Sequence, residues 1–262
     1  MAKRKHFINE KYFETVETEK QAYILGFIYS DGCVQELPTT SALTFSQLEQ
    51  DVDILYKIKE ELQSDYPMFN SIQKLNKKTI TRFYAYSRKL CEDLVKLGAT
   101  TQKSLTLTFP FFLKKELLPH FIRGYFDGDG CIWNGKRKTM IVKDKTKKEG
   151  KRKKIIHNVK FTFTGSDTFI IDLQKVLSDE IGLTKNKLNY SKARDKNNNT
   201  TKHICTMEYS GRGNIKKLYD YMYKDATIYG ERKFKKFNEI LCAFDEKSSN
   251  ESGLIAGNPL EP

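Results

Sequence analysis

The chain has 262 residues, of which 39% are hydrophobic and 12% aromatic, so a large core is expected and wholesale disorder is excluded. Lys and Arg number 46 against 33 Asp and Glu. The resulting net charge of +13 predicts a polyanionic partner, most commonly nucleic acid, although charge alone also fits a basic protein without one. The five scattered cysteines form no CxxC pair, which argues against a zinc site or a disulfide framework. They favour an intracellular setting (cytoplasm, nucleoid or organelle matrix) over secretion.

The first third of the chain predicts a helix, strands and a second helix. Thr18 and Gln21 match a capping box ahead of the apolar segment YILGFIYSDGCV, residues 23–34. After Asp31 the hydrophobic period falls to two, which predicts strands at 41–47 and 81–87 around the amphipathic helix DILYKIKEEL. Charged turns between these strands indicate antiparallel hairpins with one solvated face.

The second half repeats this pattern. The segment FIRGYFDGDGCI, residues 121–132, aligns with 23–34 at an offset of 98 residues, and Pro119 suits its first helical turn. Strands are predicted at 158–164 and 203–209, around the amphipathic helix TFIIDLQKVL. LTFSQLEQD matches VKFTFTGSD, and YAYSRKL matches MEYSGRGNI, in the same order. We therefore predict an α+β protein of two similar halves, residues 1–112 and 113–245, followed by a flexible tail at 246–262.

One insertion distinguishes the halves. Asp31 and Asp51 are 20 residues apart, whereas Asp129 and Asp167 are 38 apart. The extra residues fall in 133–158, and the part from 136 to 154 has 11 Lys or Arg and two acids. A solvated loop is one interpretation of such a charge run. Because the run lies between two predicted strands, a long basic hairpin along a phosphate backbone is the better one.

The repeated motif places two acids side by side. Gly26 and Ser30 share one face of the first motif helix, and Gly124 and Gly128 share one face of the second, so the two helices can approach closely. Asp31 and Asp129 then end neighbouring helices, each before a glycine suited to a left-handed cap. Two carboxylates about 4 Å apart repel by roughly 4 kcal/mol at an effective dielectric near 20. In a basic protein such a pair favours a bound cation, and Mg²⁺ accepts two carboxylates with water and phosphate oxygens.

These motifs resemble the LAGLIDADG homing endonucleases of the single-chain, two-motif type. ILGFIYSDG and IRGYFDGDG carry the resemblance, which the blocks GSDTFIIDLQKVL, RKLCEDLVKLGATTQKSLTLTFP and YKDATIYGERKFKKF extend over nearly residues 18–240. The resemblance implies two αββαββα repeats whose four-stranded antiparallel sheets form a saddle over DNA. It also implies a monomer that cuts both strands with Mg²⁺, or Mn²⁺ in its place.

The resemblance also assigns roles to particular residues. It implies that Asp31 and Asp129 bind metal, with the carbonyls of Ser30 and Gly128 as further ligands. Basic residues near each scissile phosphate would be Lys103 and Lys233, each of which could instead be a surface lysine. A polar residue near the attacking water would be Gln47 or Glu49, but the aligned Phe163 and Gly165 offer no counterpart. The earlier motif acid is Asp127 in the second copy, where a hydrogen-bonding role at the helix end is expected, and Tyr29 in the first.

DNA recognition is expected from basic side chains on the solvated strand faces and hairpin tips. The candidates are Lys74, Lys77, Lys78, Arg82, Arg137, Lys143, Lys160, Lys187, Lys192 and Arg194. Two alternatives to a site-specific double-strand endonuclease remain open. The same fold could serve as an intron-splicing maturase with an intron RNA partner, or as a non-catalytic nucleic-acid-binding protein.

Overall fold

The computed structural model describes residues 5–36, 40–73, 77–101, 103, 106–141, 152–191, 193–194, 200–201 and 204–253. Within them the chain forms two halves of one plan, each a four-stranded antiparallel sheet with helices. This confirms the predicted α+β class. None of the helices in the described part of the chain combines the length and apolar character needed to cross a bilayer.

The first half follows the predicted order of elements. They are α1 (Glu19–Ser30), β1 (Cys33–Glu36), β2 (Ser41–Leu48), a 3-10 turn (Glu49–Asp51), α2 (Asp53–Glu61), β3 (Met68–Ile72), β4 (Thr79–Tyr86) and α3 (Arg88–Lys96). The predicted capping box is confirmed, because the Thr18 hydroxyl accepts from the Gln21 amide and the Gln21 side chain accepts from the Thr18 amide.

The second half repeats these elements and adds to them. They are a 3-10 turn (Lys115–Leu117), α4 (Leu118–Asp129), β5 (Cys131–Ile141), β6 (Arg152–Ser166), α5 (Asp167–Ile181), β7 (Asn189–Tyr190), β8 (Ala193–Arg194), β9 (Thr200–Thr201), β10 (Ile204–Ser210), α6 (Arg212–Tyr223) and α7 (Glu231–Gly253). Pro119 lies in the first turn of α4, where its missing N–H has no helical partner to lose.

The two sheets have the same strand order. In the first the order is β1-β2-β4-β3, and in the second it is β5-β6-β10-β7, with all neighbours antiparallel. The short ribbon β8–β9 lies outside the second sheet. The strand after α5 is only two residues long because residues 184–200 are polar and lack the apolar alternation of β10.

The predicted basic hairpin is confirmed for its backbone. β5 and β6 pair from Cys131 opposite Thr162 to Ile141 opposite Arg152, whereas β1 has only four residues. Eleven residues at about 3.4 Å each extend this hairpin over roughly 35 Å. The tip at 142–151 lies outside the described residues.

Close packing of α1 on α4 joins the halves. A Cβ on Gly26 would lie 2.0 Å from the Phe121 carbonyl oxygen, and one on Gly124 would lie 1.9 Å from the Tyr23 carbonyl oxygen. Each glycine therefore meets the backbone of the opposite helix, and the two contacts are related by a pseudo-two-fold axis. This confirms the predicted contact between the small-residue faces. On either side, Phe27 stacks on Phe45 of β2, and Phe126 stacks on Phe161 of β6.

One sequence-based expectation was wrong. Gly32 and Gly130 do not adopt left-handed caps, since neither has a positive φ. They are glycines because a Cβ would lie 2.7 Å from the Ile28 Cα or 1.9 Å from the Phe126 ring. The helix α7 continues to Gly253, so it includes the first residues of the segment 246–262, whose flexibility stays a prediction. The sequence EKSSNESG has few apolar anchors, but it extends a helix that packing has already nucleated.

Candidate functional site

The helix ends bring Asp31 and Asp129 into one site. Asp31 caps the C-terminus of α1, and Asp129 is the last residue of α4. A Cβ on Gly128 would lie 3.3 Å from the Asp31 carboxyl carbon and 1.9 Å from the Ser30 hydroxyl, so the end of α4 lies directly against the end of α1. The small residues at this contact therefore determine both the distance between α1 and α4 and the distance between the two acids.

The surroundings of Asp129 disfavour its negative charge. The residue as a whole is exposed, but burial of its carboxyl group and the nearby charge of Asp31 raise its pKa to about 6, against the opposing effects of Lys103 and Lys233. A cavity of about 120 Å³, lined in part by Tyr125 and Gly165, opens beside it. The cavity is lined by polar as well as apolar groups, and it has room for ordered water.

This raised pKa makes a pH-dependent contribution to stability. The unfolded chain ionises Asp129 near 3.8 and the folded chain near 6, so this group lowers the free energy of unfolding progressively as pH rises from about 4 to 6. Asp129→Asn cannot ionise. We therefore expect the variant to gain stability relative to the wild type across this range, measured by urea denaturation without metal. A difference that is flat or declines with pH would contradict the assignment.

Gln47 contacts the first acid directly. Its side-chain amide donates to Asp31 Oδ2 over 2.6 Å, as expected of a polar group beside the site. The alternative candidate, Glu49, is exposed in the 3-10 turn after β2. Gln47 therefore occupies the position beside the acid in the first half.

The sheet register corrects the sequence alignment around Gln47. Cys33 pairs with Thr44, and Cys131 pairs with Thr162, so Thr44 corresponds to Thr162 rather than to Lys160. Counting three residues onward, Gln47 corresponds to Gly165 and not to Phe163. The ungapped alignment failed because the first half has two more residues than the second between these strand positions and the following Asp51 or Asp167. The extra residues lie in the 3-10 turn.

Gly165 has no side chain to reach the second acid. A Cβ there would lie 2.3 Å from the Tyr125 hydroxyl, which instead donates to the Thr164 carbonyl over 2.8 Å. The two carboxylates thus have unequal neighbours: an amide donor beside Asp31 and a cavity beside Asp129.

Each lysine predicted by resemblance lies at the end of a motif helix. Lys103 Nζ donates to the carbonyls of Ser30, over 3.0 Å, and Gly32. Lys233 Nζ donates to the carbonyls of Phe126, Asp127 and Gly128 over 2.7–2.8 Å. Carbonyls in the last turn of a helix lack the N–H donors of a following turn, although the Phe126 carbonyl also accepts from the Gly130 amide over 2.8 Å. A cation there opposes the negative end of the helix dipole. Burial lowers the pKa of both lysines, while the nearby carboxylates act in the opposite direction.

The donor set suits a hard divalent cation. No group of three or more His, Cys, Asp or Glu side chains within the described ranges could hold a metal, so a cation here would have the two carboxylates and backbone oxygens. Mg²⁺ commonly uses one or two carboxylates and fills its remaining positions with water or phosphate. The Ser30 and Gly128 carbonyls, expected as ligands, already accept from lysines, so a cation would share them.

The earlier motif position differs between the halves. Asp127 is half-buried, and its carboxylate accepts from the Tyr23 and Tyr223 hydroxyls and from the Gly230 amide over 2.6–2.7 Å. This agrees with the hydrogen-bonding role expected of it. Burial raises the pKa of its carboxyl, although these donors and Lys233 oppose the shift. In the first half Tyr29 instead donates to the Leu97 carbonyl.

A buried arginine joins the halves, and the sequence analysis missed it. Arg123 lies within the apolar motif helix, yet it donates to Glu19 Oε1 over 2.7 Å and to the Ile228 and Met222 carbonyls. Glu19 also accepts from the backbone and hydroxyl of Thr227. The signal was a charged residue in an otherwise apolar motif, since a buried guanidinium requires partners.

We expect Glu19→Ala to lower the free energy of unfolding by about 2–3 kcal/mol. The Arg123 side chain is 1% exposed and would lose its carboxylate partner, while the 21% exposure of Glu19 reduces the full cost of breaking a buried pair. Chemical denaturation measures the change. Exposed Glu17→Ala is the control and should change stability by less than about 0.5 kcal/mol. Equal effects of the two substitutions would contradict this account.

The basic candidates for DNA binding fall into three groups. Exposed or partly exposed side chains are those of Lys77, Lys78, Arg82 and Lys187. Lys160 is already paired with Glu208 across the β6–β10 ladder at 2.7 Å, which reduces its value as a phosphate contact. Outside the described residues lie Lys74, Lys143 and Lys192, and also the side chains of Arg137 and Arg194, whose backbones belong to β5 and β8.

Solved structures with the same fold are found across nearly the whole chain. The LAGLIDADG homing endonuclease I-GzeII in complex with its DNA target has a TM-score of 0.53 and 13% identity, covering 89% of this chain and 92% of that chain. The LAGLIDADG meganuclease I-CpaMI bound to uncleaved DNA has a TM-score of 0.52 and 13% identity, covering 88% and 93%. No protein-family model and no curated protein matches the sequence. At these identities the likeness establishes the fold.

Proposed function

We propose, from the premise that this chain has the fold of the LAGLIDADG homing endonucleases, that it is a site-specific double-strand DNA endonuclease. It would hydrolyse one phosphodiester on each strand, with a divalent cation held between Asp31 and Asp129. The observation that carries the proposal is the pairing of these acids at adjacent helix ends, each with a lysine beside it. The net charge of +13 and the two sheets support a DNA partner, and two motifs in one chain support a monomer.

The divalent cation, when bound, would supply an activated water and stabilise the leaving oxygen. Asp31 and Asp129 would hold and orient it, and their mutual repulsion would then be relieved. Gln47 holds Asp31 through its amide and can orient water on that side. On the other side the cavity beside Asp129 leaves space for water without such a donor.

The lysines act through their charge. Lys233 Nζ directs its three hydrogens at three carbonyls, so it contributes positive potential near the scissile phosphate rather than a transferred proton. Lys103 makes the corresponding contacts at the end of α1. The arrangement therefore offers one basic group for each of two phosphates.

A cleavage selection tests this function. The protein is incubated with a random or genomic duplex library in Mg²⁺ and, in parallel, in Ca²⁺, and cut ends are captured and sequenced. We expect a single long target to be recovered in Mg²⁺, with staggered 3′ overhangs. Retention of DNA without cut ends would favour the non-catalytic binder. Splicing of an intron RNA without duplex cutting would favour the maturase.

A further inference from the structure

The segment that carries Lys233 lies against the opposite half of the chain. Lys233 is the third residue of α7. The two residues before it contact the first half: Arg232 Nε donates to Asp51 Oδ1 over 2.5 Å, and the Glu231 amide donates to Asp53 Oδ2 over 3.0 Å. Acidic groups at this helix N-terminus also interact favourably with its dipole.

A lysine of the first half strengthens this junction. Lys57 of α2 donates to Glu231 Oε1 over 2.6 Å and to the Tyr229 carbonyl over 2.7 Å. It also lies over the Tyr229 ring, 4.9 Å from the centroid. The first turn of α7 is thus held on one side by the first half and on the other by the end of α4, through Lys233.

The segment that carries Lys103 has the reciprocal arrangement. The Leu107 amide donates to the Lys103 carbonyl over 2.9 Å, which links Leu107 directly to the backbone of the lysine. The Leu107 carbonyl accepts from the hydroxyls of Ser166, over 2.7 Å, and Thr168, over 3.1 Å. Ser166 and Thr168 lie where β6 leads into α5 in the second half, as Asp51 and Asp53 lie where β2 leads into α2 in the first.

We propose that each half positions the site lysine of the other half through its strand-to-helix junction. Asp51 and Asp53 position Lys233, and Ser166 and Thr168 position Lys103. These are positioning residues, since none of them donates to a motif-helix carbonyl itself. The strand-specific consequence rests on the proposed nuclease function, in which the end of each motif helix serves one strand.

Because the two junctions serve different lysines, damage to one should slow one strand. Asp51→Ala removes the partner of Arg232, and Ser166→Ala with Thr168→Val removes both hydroxyls at Leu107. With a duplex labelled differently on its two strands, we expect Asp51→Ala to slow one strand at least about fivefold more than the other, so that nicked DNA accumulates. The second variant should reverse the bias. Should the double variant not fold, Thr168→Val alone is expected to give the same direction of bias.

A surface ion pair away from the site provides the matched control. Asp220 pairs with Lys216 on α6 at 3.1 Å, and Asp220→Ala removes a carboxylate without touching either junction. We expect this variant to cut both strands at wild-type rates. Equal slowing of both strands by the junction variants would show that they act only through general stability, and would overturn the proposal.

Lysine acetylation gives a second readout that does not require cleavage. Lys233 is 7% exposed, so it should react slowly with acetic anhydride in the wild-type chain, as quantified by mass spectrometry. We expect Asp51→Ala to raise Lys233 acetylation several-fold and to leave Lys103 unchanged, with the opposite result for the Ser166–Thr168 variants. If neither lysine or both lysines respond to each variant, the positioning proposal is wrong, whether or not the protein cuts DNA. Failure of the wild-type protein to cut any duplex, with selective acetylation changes, would overturn the nuclease function alone.

Discussion

Alanine at Asp31 or at Asp129 is expected to lower double-strand cleavage by about three orders of magnitude while leaving DNA binding largely intact. Either substitution removes one of the two carboxylates available to a cation. A loss of about 4 kcal/mol of transition-state stabilisation corresponds to roughly a thousandfold in rate. Affinity should persist because, under the proposed function, the protein would hold its duplex through many phosphate contacts, and neither acid supplies one. Removing a negative charge from the proposed site would also reduce the electrostatic repulsion of a polyanionic partner.

Single-turnover cleavage in Mg²⁺ and gel shifts in Ca²⁺ measure the two properties separately. Asp127→Asn is the informative contrast, because Asp127 belongs to the same motif but its carboxylate accepts three partly buried hydrogen bonds. We expect this variant to have a lower free energy of unfolding, but the molecules that remain folded should still cleave the duplex. Loss of DNA binding in the Asp31 and Asp129 variants would instead indicate that these two acids are structural.

Gly124→Ala is expected to lower the free energy of unfolding by about 3 kcal/mol or more, because the interface between the halves has no space for the added methyl group. The added Cβ would lie 1.9 Å from the Tyr23 carbonyl oxygen and 2.9 Å from the Phe27 nitrogen. Both neighbours are backbone atoms of α1, so no flexible side chain can move aside. The steric clash can be relieved only if the two helices move apart, and this movement also separates Asp31 from Asp129.

Gly213→Ala provides the control for this substitution. Gly213 is exposed in α6, and a Cβ there would meet no atom within 4 Å. Alanine has the better helix propensity, so this variant should gain about 0.5–1 kcal/mol. Chemical denaturation of both variants measures the difference. Similar values for the two would mean that the motif helices are not held at backbone contact.

The features that repeat within the chain were predictable from its sequence. The shared Gly, Asp and Cys positions at 26–33 and 124–131 set the motif helices, their packing and the pairing of the acids. The alternation at 41–47 and 158–164 set the central strands. In each case the same local sequence pattern occurs in both halves, and two copies of one motif helix are expected to pack against each other symmetrically.

The features that depend on long-range contacts were not predictable. Arg123 looked like an exception within an apolar helix, and only folding brings Glu19 and Thr227 to it. The counterpart of Gln47 was misassigned because strand pairing, not sequence spacing, determines which residues correspond. Gly32 and Gly130 were correctly singled out, but for the wrong physical reason. Glycine is required there because a Cβ atom would have no space, and not because the backbone has a positive φ.

The hairpin β5–β6 is much longer than its counterpart β1–β2, so the two ends of the molecule differ. Turning the protein end for end on a duplex would exchange an arm of about 35 Å for one made of a four-residue strand, so the two orientations are not equivalent. A nuclease of this shape would read a target without mirror symmetry, longer on one flank than on the other. Such a protein would therefore bind its DNA site in one orientation only.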